Sequence, residues 1–329
     1  MGPGLTPPDE SAAPDVGTGG GRELHPWLRL LLRLAWPTAG LGVLLILGGI
    51  VVVAAARVLP IDGLAALISP MIWTFGAGAV LIAVGLSMYV LAPGFFGHAA
   101  ASMGYGSHRL VLAAVALVVL LGNLLSLPYH LGRPDVGLCT VPGFVTAASG
   151  VQAALLIVMW GRFIRPGVIS WRDLGVSGTA LFRYSGTGLL VGVAVLICSA
   201  AVQLSLDRLG VHQTQIQSFR CIREFPISGF AAVVLTGGIL APFAEELFFR
   251  GFVFRSYLQT RGALFAYPAS AVLFASLHLN LPALLPILVM GLLFAWVYQR
   301  TGSVLPSVVG HAVNNSAAFS ILYFADLAV

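Results

Sequence analysis

Nine long apolar runs between residues 34 and 324 set the class of fold that this chain can adopt. Crossing about 30 Å of hydrocarbon takes about 20 helical residues. Only helices and closed barrels satisfy all their backbone hydrogen bonds in lipid, and runs of this length favour helices. The sequence therefore predicts an all-α fold, a polytopic transmembrane helical bundle of about 8–9 helices, with spans at 34–56, 66–91, 110–127, 143–161, 185–205, 228–249, 263–278, 283–299 and 304–324.

Composition agrees with a membrane location. The 329 residues are 58% hydrophobic and 9% charged, and the mean hydropathy is +0.95, whereas about a quarter of the residues of a soluble protein are charged. All 17 basic residues are arginine, and the net charge of +5 is too small and too scattered for a nucleic-acid surface. We expect a multi-pass integral protein of the plasma (inner) membrane whose partners are the lipid bilayer and a membrane protein or peptide, and no nucleic acid.

The arginines predict an orientation. With the N-terminus inside, 12 of the 17 arginines fall on the cytoplasmic side of the predicted spans, and five fall on the other side. Positive residues are enriched in cytoplasmic loops, so this distribution favours a cytoplasmic N-terminus.

The chain divides into three parts by composition. Residues 1–27 are rich in Gly, Pro and acidic groups, which predicts a disordered tail with no signal-peptide pattern. Residues 28–227 form apolar helices to which no function is assigned, and residues 228–329 carry polar groups at membrane depth. The cysteines Cys139, Cys198 and Cys221 lie far apart without a CxxC spacing, so we expect small apolar fillers rather than a disulfide or metal site.

Two adjacent carboxylates stand out in the third part. Glu245 and Glu246 are its only acidic residues before Asp326, and an ionisable group inside a span is costly and usually functional. Glu246 lies four residues before Arg250, so the two share a helix face and can form an ion pair. Glu245 is turned about 100° away, which leaves it free to act as a general base.

Two histidines lie in the same part, His278 and His311. If the chain turns at 260–262, Glu245 and His278 are both about 22–24 Å from the turn, so a helical hairpin can bring them level. His311 lies only about 10 Å past the next turn, and reaching the same depth requires a tilted or broken eighth helix. Pro242 predicts a bend one turn before Glu245, either as a special local geometry or as an ordinary kink.

Three short motifs in this part resemble the signatures of a known family. They are EELFFR (Glu245 to Arg250), FASLH (Phe274 to His278) and HAVNN (His311 to Asn315). Together they resemble the CPBP intramembrane proteases, also called the CAAX-protease and bacteriocin-processing or Abi family. The resemblance covers under a third of the chain, and the preceding spans inherit nothing from it.

The resemblance implies a set of roles. Glu245 would activate the attacking water, while His278, His311 and Asn315 would position the water or the oxyanion. Glu246 and Arg250 would support them. If a metal is present, its ligands would be His278, His311 and Glu245, a set that suits zinc. A metal-free glutamate mechanism fits the same residues equally well, so the cofactor stays open.

We therefore expect an intramembrane endopeptidase of the metallo- or glutamate type, cleaving a membrane-associated protein or peptide. Other protease motifs fit poorly, because HExxH is absent and the only GxSG match lies in the arginine-rich loop at 175–178. Two alternatives stay open: a non-catalytic membrane immunity or adaptor protein that binds a partner through the same cavity, and a proton-coupled transporter that uses Glu245 and the histidines as a relay.

Overall fold

The computed structural model describes residues 24–56, 61–96, 104–131, 137, 139–176, 178–211, 219–278, 280–281 and 283–324. Most of the predicted tail, 1–27, lies outside these residues. Within them, nine helices of 14 or more residues correspond one to one to the nine predicted spans. They are α1 Pro26–Ala56, α2 Ile61–Val90, α3 His108–Leu131, α4 Val141–Ile164, α5 Gly178–Arg208, α6 Ile227–Arg261, α7 Ala263–Ser276, α8 Leu284–Thr301 and α9 Leu305–Phe324.

The helices confirm the predicted fold class, a polytopic transmembrane bundle. Seven of those described, α1 to α6 and α8, are long and apolar enough to cross a membrane. The exceptions differ in kind: α7 has only 14 residues, about 21 Å, and α9 has 20 residues but is interrupted by polar side chains. The protein is an integral, multi-pass membrane protein.

Contacts between connecting segments show which of them lie at the same end of the bundle. At one end, the Val304 N–H donates to the Leu174 carbonyl (2.9 Å) and Arg255 Nη1 donates to the Asp173 carbonyl (3.0 Å). At the other end, Arg223 Nε donates to the carbonyl of Leu322 at 2.8 Å. Successive connections thus lie at opposite ends of the bundle, as antiparallel neighbouring helices require.

A disulfide corrects one sequence-based expectation. Cys139 and Cys221 are bonded, with their Cα atoms 5.3 Å apart and a sequence separation of 82. The expectation of apolar fillers is therefore wrong for these two, and Cys198 is a free, half-buried cysteine. The spacing gave no signal because the fold, and not a local motif, brings together the loop before α4 and the turn before α6.

Glycines allow the helices around α9 to approach closely. A Cβ atom added at Gly188 of α5 would lie 2.5 Å from Val309 Cβ, and one at Gly192 would lie 2.8 Å from Val313 Cβ. The four-residue spacing of these glycines is the small-residue pattern of closely packed membrane helices. Helices α5 and α9 thus pack backbone to backbone, and α5 supports the helix that carries His311.

Candidate active site

The helix that carries both glutamates is not uniformly α-helical. Within α6, a π-helical segment at Val234–Leu240 precedes the α-helical turn Ala241–Phe248, and a second at Phe249–Phe254 follows it. Such segments are rare and occur frequently at functional sites. The predicted bend before Glu245 is thus a special local geometry.

Proline and glycine explain the first π segment. In a π-helix each carbonyl accepts from the N–H five residues later, and the residue five after Gly237 is Pro242, which has no N–H. Two side chains of α9 donate to this part of the backbone. Asn315 Nδ2 donates to the Gly237 carbonyl at 3.2 Å, and Ser316 Oγ donates to the Gly238 carbonyl at 3.4 Å.

The close approach of α9 requires glycine at these positions. A Cβ added at Gly238 would lie 2.6 Å from Ser316 Oγ, and one at Gly237 would lie 2.9 Å from the Phe319 ring. The Gly237-Gly238 pair therefore serves contact between α6 and α9 as well as backbone geometry.

The ion pair that the four-residue spacing predicts is present. Arg250 Nη1 lies 2.7 Å from Glu246 Oε1, and both side chains are fully buried. Arg250 Nη2 also donates to the Gly291 carbonyl at 3.2 Å, and the guanidinium lies over the Phe274 and Phe294 rings at 4.7 and 5.2 Å. A buried charge needs such partners because desolvation costs several kcal/mol per ion.

His311 lies between the two glutamates. Its Nδ1 is 3.0 Å from Glu246 Oε1, and its Nε2 is 3.9 Å from Glu245 Oε2. The first distance is a hydrogen bond and the second is too long for one. Because Glu246 Oε1 also accepts from Arg250, we assign the N–H of His311 Nδ1 as the donor in this bond, with Nε2 on the side of Glu245.

The level of His311 differs from the sequence-based expectation. A tilted or broken eighth helix was required to bring His311 to the depth of Glu245, yet α8 is unbroken over Leu284–Thr301. The reason is the length of α6, which has 35 residues and extends past its neighbours. Leu174 contacts Val304 and Asp173 contacts Arg255, so Val304 and Arg255 lie near the same level of the bundle. The side chains of His311 and Glu245 lie about 10–14 Å from that level.

His278 is not part of the hydrogen-bonded group that Glu246, Arg250 and His311 form among the described residues. It follows the end of α7, and its Nδ1 is hydrogen-bonded to the Phe274 carbonyl at 3.0 Å. Among the described side chains, no hydrogen bond or ion pair joins it to Glu245 or Glu246. The Phe274 ring contacts both histidines, with its centroid 5.2 Å from His278 and 5.7 Å from His311.

One oxygen of each glutamate is left for a ligand. Oε2 of Glu245 and Oε2 of Glu246 are buried and accept no hydrogen bond within the described part of the chain. The Glu246 side chain is inaccessible, while 20% of the Glu245 side chain is exposed. Glu245 is therefore the carboxylate that a ligand can reach.

The zinc ligand set expected from the resemblance is not assembled. No three His, Cys, Asp or Glu side chains of the described residues are grouped as a metal site. Within the described part of the chain, His278, His311 and Glu245 are therefore not grouped as the three ligands that a zinc ion would need.

Sequence reasoning missed three residues around the site. Phe294 stacks on the His311 imidazole with centroids 5.2 Å apart, Asn314 Nδ2 donates to Asn315 Oδ1 at 3.2 Å, and buried Gln152 of α4 contacts the π segment. The signal available for Gln152 was a lone amide in the apolar run SGVQAALL; Phe294 in an apolar helix gave none.

Comparison with known proteins agrees with the predicted family. Residues 227–317 match the family model of the type II CAAX prenyl endopeptidase Rce1-like proteins, which confirms the likeness inferred from the three motifs. The matched segment begins with α6 and includes Glu245, His278, His311 and Asn315.

Two curated relatives are similar over the same fraction of the chain. The UPF0177 protein YxdF of Lactococcus lactis is 32% identical over 90 residues, 27% of this chain and 49% of that protein. YdiL of Bacillus subtilis, whose name classes it provisionally as a membrane peptidase, is 29% identical over 90 residues, 27% of this chain and 37% of that protein. The chain thus spans half or less of each relative, and no solved structure matches.

Proposed function

We propose that this protein is an intramembrane endopeptidase that hydrolyses a peptide bond in a membrane-associated protein or peptide. The observation that carries the proposal is His311, held by one buried carboxylate and facing a second, partly exposed one. A nucleophile, a base and a group that orients the base are the parts of a hydrolytic site, here with water as the nucleophile. The match to a peptidase family over α6 to α9 supports the same class.

Glu245 would take the proton of the attacking water. The 3.9 Å between Glu245 Oε2 and His311 Nε2 is a separation that one water oxygen, about 2.8 Å from each atom, would bridge once admitted to the site. As this oxygen bonds to the substrate carbonyl carbon, its proton passes to Glu245. The C–N bond then breaks, and the proton goes from Glu245 to the leaving amine.

The other residues would orient these groups. Glu246 holds the His311 ring, and Arg250 balances the charge of Glu246. Asn315 would act indirectly, since its side-chain amide donates to the Gly237 carbonyl and so holds the backbone of α6 in place. His278 follows the end of α7, four residues after Phe274, and is half-exposed, so it would contact the substrate or the oxyanion after a substrate binds.

A change at Glu245 tests the proposal. In a strain lacking the gene, new protein N-termini in the membrane fraction are compared after expression of the wild type or Glu245→Gln. The amide keeps the shape of the side chain but cannot accept the proton, so we expect the wild-type cleavage products to disappear. The proposal fails if the variant restores the same N-termini at the wild-type rate, and a retained protective phenotype without cleavage would favour the adaptor alternative.

The disulfide supports the predicted orientation. Disulfides persist in oxidising compartments and are rare in the cytosol. Cys139 and Cys221 follow α3 and α5, so a chain whose N-terminus is cytoplasmic presents both on the outer side. We therefore propose a cytoplasmic N-terminus, in agreement with the arginine distribution.

Thiol labelling tests this orientation. In a Cys198→Ala background, Cys139→Ser leaves Cys221 as a single free thiol. We expect a membrane-impermeant maleimide to label Cys221 in intact cells. Labelling only in everted vesicles would reverse the orientation.

A further inference from the structure

A buried glutamine of α4 contacts the π segment from outside the matched family segment. Gln152 is 7% exposed, and its Nε2 donates to the Thr236 carbonyl at 2.7 Å. An amide side chain in a span is costly unless its hydrogen bonds are satisfied. The short distance across two helices indicates a specific contact.

Three consecutive carbonyls of the π segment each receive a side-chain donor from another helix. Thr236 receives Gln152 from α4, whereas Gly237 and Gly238 receive donors from α9. The Thr236 carbonyl also accepts the Ala241 N–H, which is the five-residue bond of a π-helix. The segment is therefore held from two sides of α6 in its π register.

The register of this segment sets the direction of Glu245. Returning a π turn to an α turn removes one residue from the turn, which rotates everything beyond it by about 100° and shifts it by about 1.5 Å. Glu245 follows the segment on the same continuous helix, and its Oε2 lies 3.9 Å from His311 Nε2. A rotation of that size would turn the carboxylate away from the imidazole.

We propose that Gln152 is a positioning residue, which stabilises the π register of α6 and so keeps Glu245 directed toward His311. This inference rests on the proposed proteolytic function. It assigns to the N-terminal helices a part in the active site, although they lie outside the segment shared with the Rce1-like family.

Two substitutions at one position test the inference. Gln152→Met keeps a similar volume and removes the donor, while Gln152→Glu can donate only when its carboxyl group is protonated. The assay follows the initial rate at which the wild-type cleavage products form in everted membrane vesicles of the gene-deleted strain, from acid to alkaline pH. Thermal unfolding of each purified variant is measured in parallel.

We expect the methionine variant to cleave on the order of tenfold more slowly or worse, since small displacements of reacting groups have large effects on rate. The rate of the glutamate variant, divided by the wild-type rate at the same pH, should approach one at low pH and fall as pH rises. A role in packing alone would not make this ratio depend on pH. Gln203→Leu on α5 is the matched control, because its amide bonds only to Asp207 of the same helix among the described contacts, and its rate should be unchanged.

The inference is overturned if Gln152→Met cleaves at the wild-type rate, or if both variants lose rate only in proportion to folded protein, with a ratio that does not change with pH. These results leave the proposed function intact as long as Glu245→Gln is inactive. An active Glu245→Gln variant would remove the proposed function itself.

Discussion

The α1–α2 pair and the α6–α8 region are both helical and apolar, yet they bury their surfaces differently. The most apolar windows of α1 and α2 are 17% and 22% buried, whereas those of α6 and α8 are each 44% buried. Large side chains such as Leu44, Val51 and Trp73 are more than half exposed in the first pair. Lipid satisfies such side chains as well as protein does, so they need no partner.

Contacts within the two regions also differ in kind. Helices α1 and α2 meet through small residues, and a Cβ at Gly42 would lie 2.5 Å from the Gly78 carbonyl. The α6–α9 region instead surrounds buried charges, including Glu246 and Arg250. The buried charges of the α6–α9 region thus contrast with the lipid-facing apolar surfaces of α1 and α2.

The largest stability effect should come from the buried ion pair. Arg250→Leu leaves Glu246 as an uncompensated buried carboxylate, and breaking such a pair costs about 3–5 kcal/mol. Arg300→Leu, at an exposed position, should change stability by about 0.5 kcal/mol or less. Thermal unfolding in detergent measures the stability of both variants. Equal losses would contradict the distinction between the buried, paired arginine and the exposed one.

Replacing His311 should lower the cleavage rate more than replacing His278. His311 contacts both glutamates, whereas no described hydrogen bond or ion pair joins His278 to either, so His311→Ala should lower the cleavage rate by about 100-fold or more. His278→Ala should lower it less. Initial rates in everted vesicles check this order, and a larger loss at His278 would mean that substrate binding rearranges the site.

A smaller effect is expected at the α5–α9 contact. The Cβ of Gly188→Ala would meet Val309 Cβ at 2.5 Å, and overpacking of this kind costs about 1–3 kcal/mol. Gly186, two residues earlier, has no atom within 4 Å of an added Cβ, so Gly186→Ala is the matched control. Unfolding temperatures of the two variants should differ, and identical values would show that the contact is not tight.

Most of the fold could be predicted from the sequence because apolar length and hydrogen-bond satisfaction in lipid leave few choices. The nine long helices of the described residues and the Glu246–Arg250 pair follow from local spacing. The disulfide, the level of His311 and the place of Gln152 could not be predicted in this way. Each depends on how far one helix extends beside another, as α6 does with its 35 residues, and single-sequence periodicity carries no such information.

The central claim is that Glu245 is the base of a hydrolytic site. The most direct measurement compares purified wild type and Glu245→Gln in proteoliposomes, using as substrate the membrane segment that yields the new N-terminus in cells. The wild type should cleave it, and the variant should be slower by at least about 100-fold while unfolding at the same temperature. A folded variant that cleaves at the wild-type rate would contradict the claim.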